Sequence, residues 1–255
     1  MYKKTDGQAA EGVRLNKAMA QAGLCSRRQA DEWIEQGLVR VNGLVVRELG
    51  LRLLPGDKLV VQGKNINPFG KKEPFTYLLL NKPVQIVSTA RDPEGRTTVM
   101  DLLPPQYAGR RLYPVGRLDF FSEGLLLLTD DGDLTQRLTH PRHQLPKDYE
   151  VLVRENVSAE ALHTMCSGMT LAEGEKLAPV EAVRKGRNKR GEVLRLTLRQ
   201  GINRQIRRMC RDLGLTILSL RRVAQGPLEL GDLEAGTCRE LTPAEVHTLR
   251  QLCGL

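Results

Sequence analysis

No apolar stretch in this 255-residue chain approaches the length of a membrane span. Its opening, MYKKTDGQAAEG, lacks the apolar core of a secretory leader. The five cysteines, Cys25, Cys166, Cys210, Cys238 and Cys253, form no CxxC pair and have no close histidine partners, which argues against a zinc site. An odd, scattered set points instead to free thiols in a reducing compartment, and a cytoplasmic protein is expected. GxSxG, HExxH, P-loop and dinucleotide-binding patterns are all missing, which removes the commonest serine-hydrolase, zinc-protease and nucleotide-dependent chemistries. No repeat or low-complexity tract stands out.

What is present is a chain able to fold and inclined to meet a polyanion. At 40% hydrophobic it can build a true core. Lys and Arg outnumber Asp and Glu by 39 to 30, for a net charge of +9. Such a balance favours nucleic acid first and an anionic membrane surface second, with a merely soluble basic protein as the plain alternative. The length allows one large domain or a small one followed by a medium one.

The second arrangement fits the pattern. Residues 1–12 are polar and read as disordered. RLNKAMAQAG places Leu15, Ala18, Met19 and Ala22 at helical spacing and stops at Gly23. A second helix follows, with Ser26 and Gln29 as a capping box and Gly37 as its stop. Asn42-Gly43 marks a hairpin, and two short strands flank Pro55-Gly56-Asp57. This small module covers 13–62, and 63–74, rich in Gly, Pro, Asn and Lys, reads as a linker. Residues 75–255 form the larger domain. Strands are expected at 75–81, 112–119, 124–129, 147–153, 180–185, 193–199 and 216–223, and helices at 132–138, 158–167, 203–213 and 242–252. The mixture lacks regular βαβ alternation, so the fold class is α+β.

Basic residues cluster on two helices. At about 100° per residue, Ile206, Met209, Cys210 and Leu213 share one face of the later helix and Arg204, Arg208 and Arg211 the other. That is an ordinary solvated face or a phosphate-binding one. Arg207 sits between them, where a guanidinium could reach inward to a carboxylate. Arg27 and Arg28 fall in the first turn of their helix, where cations oppose the dipole and a phosphate would favour them.

The stretch GRLDFFSEGLLLLTDDGDL, 116–134, sets Asp119 just before four leucines. Asp119 could be a turn residue, a structural ion-pair partner, or a nucleophile or base in an apolar pocket. Its neighbours Leu118 and Phe120 speak against a plain solvated turn. The DDGD at 130–133 lacks the spacing of a calcium loop and reads as a turn leading into a helix, with Asp133 near the cap.

These residues resemble a known family. GRLDFFSEGLLLLTDDG is similar to the catalytic motif of the pseudouridine synthases, in the branch of RsuA, RluB, RluE and RluF. NKPVQIVST at 81–89, KDYEVLV at 147–153 and QGINRQIRRMC at 200–210 resemble its other motifs, and residues 13–61 resemble an S4 RNA-binding domain. Four motifs in order over nearly the whole chain are a specific signal. The resemblance implies a small S4 domain followed by a mixed, mainly antiparallel sheet domain with flanking helices. It implies that Asp119 drives cleavage of the uridine glycosidic bond and rejoining through carbon, by attack on the ribose or removal of its C2′ proton. Tyr149 would stack on the target base and assist proton transfer, Arg207 would pair with Asp119, and Arg117 would fill the gap left by the flipped base. Lys82 would help shape the site, and RNA contacts are expected at Lys82 and at the basic helix residues Arg27, Arg28, Arg204 and Arg208. No cofactor and no metal are implied, because the reaction is an isomerisation.

The expected partner is RNA: large-subunit ribosomal RNA first, then small-subunit or transfer RNA. No membrane partner is expected, and a monomer is. A non-catalytic RNA-binding or ribosome-assembly protein and a hydrolytic N-glycosidase remain the alternatives. Three departures from the family stand out: Gln85 where glycine is usual, Asp130 where asparagine is common, and no Lys/Arg-rich tail before Leu255.

Overall fold

The computed structural model describes residues 12–69, 74–140 and 145–255. All but the last residue of the expected disordered start, and residues 70–73 of the expected linker, lie outside them. The chain divides into two compact units between Pro74 and Phe75.

In the first unit, α1 (Leu15–Gln21) and α2 (Arg27–Glu35) follow β1 (Val13–Arg14). Ser26 caps α2, its Oγ accepting from Gln29 N–H at 3.1 Å. A four-stranded antiparallel sheet runs β3-β2-β5-β6, from β2 (Val39–Val41), β3 (Leu44–Val46), β5 (Leu59–Val61) and β6 (Lys64–Ile66), while β4 (Arg52–Leu53) pairs with β1. Leu15, Met19, Ile34, Val39, Leu53 and Leu59 are buried together as its core. Asn42 and Gly43 both take positive φ, the tight turn that an Asn-Gly pair favours. Gln62 and Gly63 do the same between β5 and β6. The sheet therefore continues into residues whose composition reads as a linker.

The second unit is built on a nine-stranded sheet among the described residues, with a main path of β11-β12-β10-β13-β9-β7-β15. Its strands are β7 (Tyr77–Lys82), β8 (Tyr113–Pro114), β9 (Glu123–Thr129), β10 (Lys147–Val153), β11 (Glu181–Asn188), β12 (Gly191–Leu198), β13 (Ile217–Gln225), β14 (Leu228–Glu229) and β15 (Cys238–Glu240). The pairs are antiparallel except at the centre, where β13 meets β9 in parallel through Arg221↔Glu123 and Arg222↔Gly124. A Cβ on Gly124 would lie 2.2 Å from the Arg222 carbonyl oxygen, so only glycine allows this approach. Helices α3 (Gly132–Thr139), α4 (Ala159–Ser167), α5 (Gln205–Asp212) and α6 (Pro243–Leu252) complete the unit. The fold is α+β, an S4-type module followed by a mixed, mainly antiparallel sheet domain.

The four leucines of β9 are buried on both faces. Leu125 and Leu127 pack with Leu134, Leu138 and Leu249, and Leu126 and Leu128 pack with Leu78, Leu80, Val99 and Leu112. The strand expected at 112–119 shrinks to Tyr113–Pro114. Pro114 has no N–H to give, Gly116 turns to φ +79°, and Leu118 bonds sideways, its N–H and C=O both engaged by the Ser88 hydroxyl at 3.2 and 2.8 Å. The cap of α3 is Asp131, with Asp133 beside it in the first turn. The Asp131 Oδ1 accepts from the N–H groups of Asp133 and Leu134.

Candidate active site

Asp119 follows the buried Leu118 and opens a tight turn closed by Ser122 N–H on the Asp119 carbonyl at 3.0 Å. The turn throws Phe120 and Phe121 outward, at 38% and 57% exposure, so only one of the two apolar neighbours of Asp119 shields it. The carboxylate itself keeps 30% of its exposure. It is a turn residue and an ion-pair partner at once, not a fully enclosed group.

Lys82 holds the turn from beneath. It has no exposure, and its ammonium donates to the carbonyls of Pro83 at 2.9 Å, Asp119 at 3.2 Å and Ser122 at 2.8 Å. Burial pulls its pKa down to about 8, against the opposing pull of Asp119 and Glu123. Where an RNA contact was expected, the ammonium is instead fully buried on three carbonyls and positions the turn.

Arg207 reaches the same turn from α5. Its Nη2 donates to the Phe121 carbonyl at 2.7 Å and to Ser122 Oγ at 3.1 Å, and its Nε lies 3.7 Å from Asp119 Oδ2. Desolvation lowers the guanidinium's pKa and Asp119 raises it. Arg204, the residue before α5, takes a left-handed backbone at φ +50°, which starts the helix two residues later than the pattern implies.

Asp119, Tyr149 and Arg207 line one cavity of about 580 Å³. Tyr149 stands on β10, beside Leu196 of β12 and Arg222 of β13. Arg117 and Arg204 are exposed at the cavity wall. Arg208 is not brought there, and it pairs with Glu175 at 2.6 Å and Glu173 at 3.3 Å. Arg27 and Arg28 are exposed in the first turn of α2, in the other unit. Among the polar lining residues, Arg222 and Gln225 lie outside the quoted motifs, while Lys147 and Gln205 lie inside them without an expected role. Arg222, Gln205 and Gln225 are buried polar groups, at 3%, 5% and 4% exposure. Burial, then Arg222, lowers the Lys147 pKa. The described lining holds Arg117, Lys147, Arg199, Arg204, Arg207 and Arg222 against the single carboxylate of Asp119, a setting for an anionic ligand.

The DDGD turn is occupied structurally. Asp130 accepts from Thr76 N–H at 2.8 Å, and Asp131, at 1% exposure, accepts from Tyr77 Oη and Arg250 Nη1 at 2.8 and 2.7 Å. Burial and Asp131 push the Tyr77 hydroxyl up to about 12.

A family model described as RNA pseudouridylate synthase matches residues 76–212, across the motifs that build this cavity, and an S4 domain model matches 13–59. The chain belongs to the RNA pseudouridylate synthase family. It is 40% identical to the ribosomal large subunit pseudouridine synthase B of Bacillus subtilis (strain 168), over 94% of this chain and 96% of that one. It is 38% identical to the dual-specificity RNA pseudouridine synthase RluF of Escherichia coli (strain K12), over 94% and 79%. A solved pseudouridylate synthase superposes with a TM-score of 0.65 at 29% identity, covering 93% of this chain and all of that one. The synthase thus presents one carboxylate, held at its backbone by a buried lysine and faced by an arginine, in a cationic cavity with an aromatic wall. That arrangement suits an isomerisation at a nucleotide lifted out of its stack.

Proposed function

We propose that this synthase converts a uridine of large-subunit ribosomal RNA to pseudouridine, with Asp119 as the catalytic carboxylate. The observation that carries the reading is the convergence of Asp119, Tyr149 and Arg207 on one cavity. The C1′–N1 bond breaks, C1′–C5 forms, the C5 proton leaves and N1 gains one, so the reaction balances without a co-reactant. Asp119 acts at the ribose, Tyr149 stacks on the loose base, and Arg207 positions the carboxylate. Arg117 fills the gap left by the flipped base, and Arg204 meets the backbone beside it. Arg27 and Arg28 contact phosphates from the S4 unit. The names of the relatives support ribosomal RNA as the substrate, and the cationic lining supports RNA in general. The protein is proposed to act in the cytoplasm as a monomer; no helix among the described residues is long and apolar enough to cross a membrane.

The test compares ribosomal RNA from cells lacking the protein with matched wild-type RNA, using carbodiimide labelling and primer extension. One pseudouridine is expected to vanish and to return with the wild-type protein but not with Asp119→Asn. If the ribosomal map is unchanged, the same map is applied to transfer RNA, the next expected substrate. Blank maps for both RNAs would leave a non-catalytic RNA-binding protein as the better reading.

A further inference from the structure

One extra residue is hidden in the pairing of β10 with β13. Lys147 faces Gln225 and Asp148 faces Ala224, yet Tyr149 faces Arg222, so Val223 is bulged out of the ladder. Residues three apart on a regular strand look to opposite faces. The bulge cancels that rule for Arg222 and Gln225. Both line the cavity with Lys147 and Tyr149, while Val223 and Ala224 lie with Glu150 and Arg195 around a separate surface hollow.

The two side chains so re-aimed are incompletely satisfied. Arg222 Nε donates to the Leu125 carbonyl at 2.7 Å, which fixes the guanidinium against β9. Its Nη2 and Gln225 Oε1 are buried with no hydrogen-bond partner among the described residues. A buried donor and a buried acceptor on one cavity wall call for a ligand carrying an acceptor beside a donor.

We propose that Arg222 Nη2 and Gln225 Oε1 read the imide edge of the flipped uracil, the arginine donating to O4 of the incoming base and the glutamine accepting from N3–H. The assignment rests on the function proposed above. A phosphate is a poorer fit, because its oxygens offer nothing to Gln225 Oε1. Cytosine is poorer still at Arg222, where its amino group would meet a donor that cannot accept. The glutamine amide can turn over to suit either base, so Arg222 carries the discrimination.

The same pair suits the motion that the isomerisation requires. To rejoin through C5, the freed uracil can turn about its N3–C6 line. That turn exchanges N1 with C5 and O2 with O4, and it leaves N3–H in place. A grip on N3–H and one neighbouring carbonyl is therefore the same before and after, and it holds the base while both glycosidic bonds are open.

The test uses synthetic RNA hairpins spanning the mapped site. They carry uridine, 4-thiouridine (N3–H kept, O4 replaced by weakly accepting sulfur) or 3-methyluridine (no N3–H) at the target, and binding is measured in an Asp119→Asn background. The uridine hairpin is expected to bind at least about tenfold more tightly than either analogue. Arg222→Met should bring the uridine-to-thiouridine ratio close to one, and Gln225→Met the uridine-to-methyluridine ratio, with melting temperatures checked for each. A purely structural role leaves the analogue penalties unchanged in the variants, and that result overturns the assignment. If one variant fails to fold, the other ratio decides. A mapped site with unchanged ratios withdraws this inference alone, whereas blank maps withdraw the function and this inference with it.

Discussion

Arg207 Nε stops 3.7 Å from Asp119 Oδ2, while Nη2 of the same guanidinium donates to the Phe121 carbonyl at 2.7 Å. The arginine is bonded to the turn that carries the carboxylate and only faces the carboxylate itself. Asp119 therefore has a charged neighbour without having its oxygens fully occupied. Asp119→Asn is expected to lower turnover by at least about a thousandfold and to leave RNA affinity within about threefold. Arg207→Lys, which keeps the charge but loses the fork, is expected to lower kcat by about ten- to a hundredfold with little change in KM. Tritium release from RNA labelled at uridine C5, beside a binding curve, separates the two effects. Near-normal turnover in Asp119→Asn would remove it as the catalyst.

Lys82 predicts that activity and stability part company at alkaline pH. Its pKa is pulled down to about 8 from 10.5. As pH rises through about 8 the amine keeps too few protons for its three carbonyls, so turnover should fall along a basic limb centred near 8. Stability moves the other way. Between about 8 and 10.5 the unfolded chain holds the extra proton, so the contribution of Lys82 to folding stability rises with pH. Urea melts across that window should show a shallower pH slope in Lys82→Met than in the wild type. Equal slopes would show that the lysine's pKa is not displaced.

Gln85 adopts a left-handed backbone at φ +65° while its N–H donates to the Phe120 carbonyl at 2.6 Å. That conformation explains why glycine suits the position. Gln85→Gly is expected to be neutral or to stabilise by up to about 1 kcal/mol, and Gln85→Val to cost about 1–2 kcal/mol. Denaturant midpoints decide; a clear loss of stability in the glycine variant would mean that the side chain contributes more than its backbone strain costs.

Arg27 and Arg28 stand exposed at the first turn of α2 without an acidic residue in that turn. The double variant Arg27→Gln, Arg28→Gln is expected to weaken RNA binding and to flatten the plot of log affinity against log salt by about 1 to 2 units. An unchanged slope would take phosphate contact away from this helix.

Much of this architecture was legible because it depends on local rules. Leu15, Ala18 and Met19 announced a helix, Asn42-Gly43 a hairpin, and Ser26 a cap. Asp119, Tyr149 and Arg207 were recognisable through motifs, and the structure brings them to one cavity. What escaped depends on distant partners. GRLD looked like a strand leading into the leucines, but Ser88 and Lys82 capture its backbone. Arg208 looked free until Glu173 and Glu175 arrived from another part of the chain. The turn at Gln62–Gly63 carries a weaker signal than Asn-Gly, so β6 was read as linker. The bulge at Val223 leaves no mark in the sequence, and with it the placement of Arg222 and Gln225 was hidden.

The central seam of the sheet has a consequence for the order in which the molecule is made. The Arg222–Leu125 hydrogen bond links residues 97 positions apart. Joining β13 to β9 closes that long loop with only two ladder pairs as reward. On a ribosome, Asp119 and its leucine strand emerge well before β13 exists. One wall of the cavity is therefore in place early and waits for the other. The synthase's pocket is closed only once β13 has joined β9, among the last acts of its own folding.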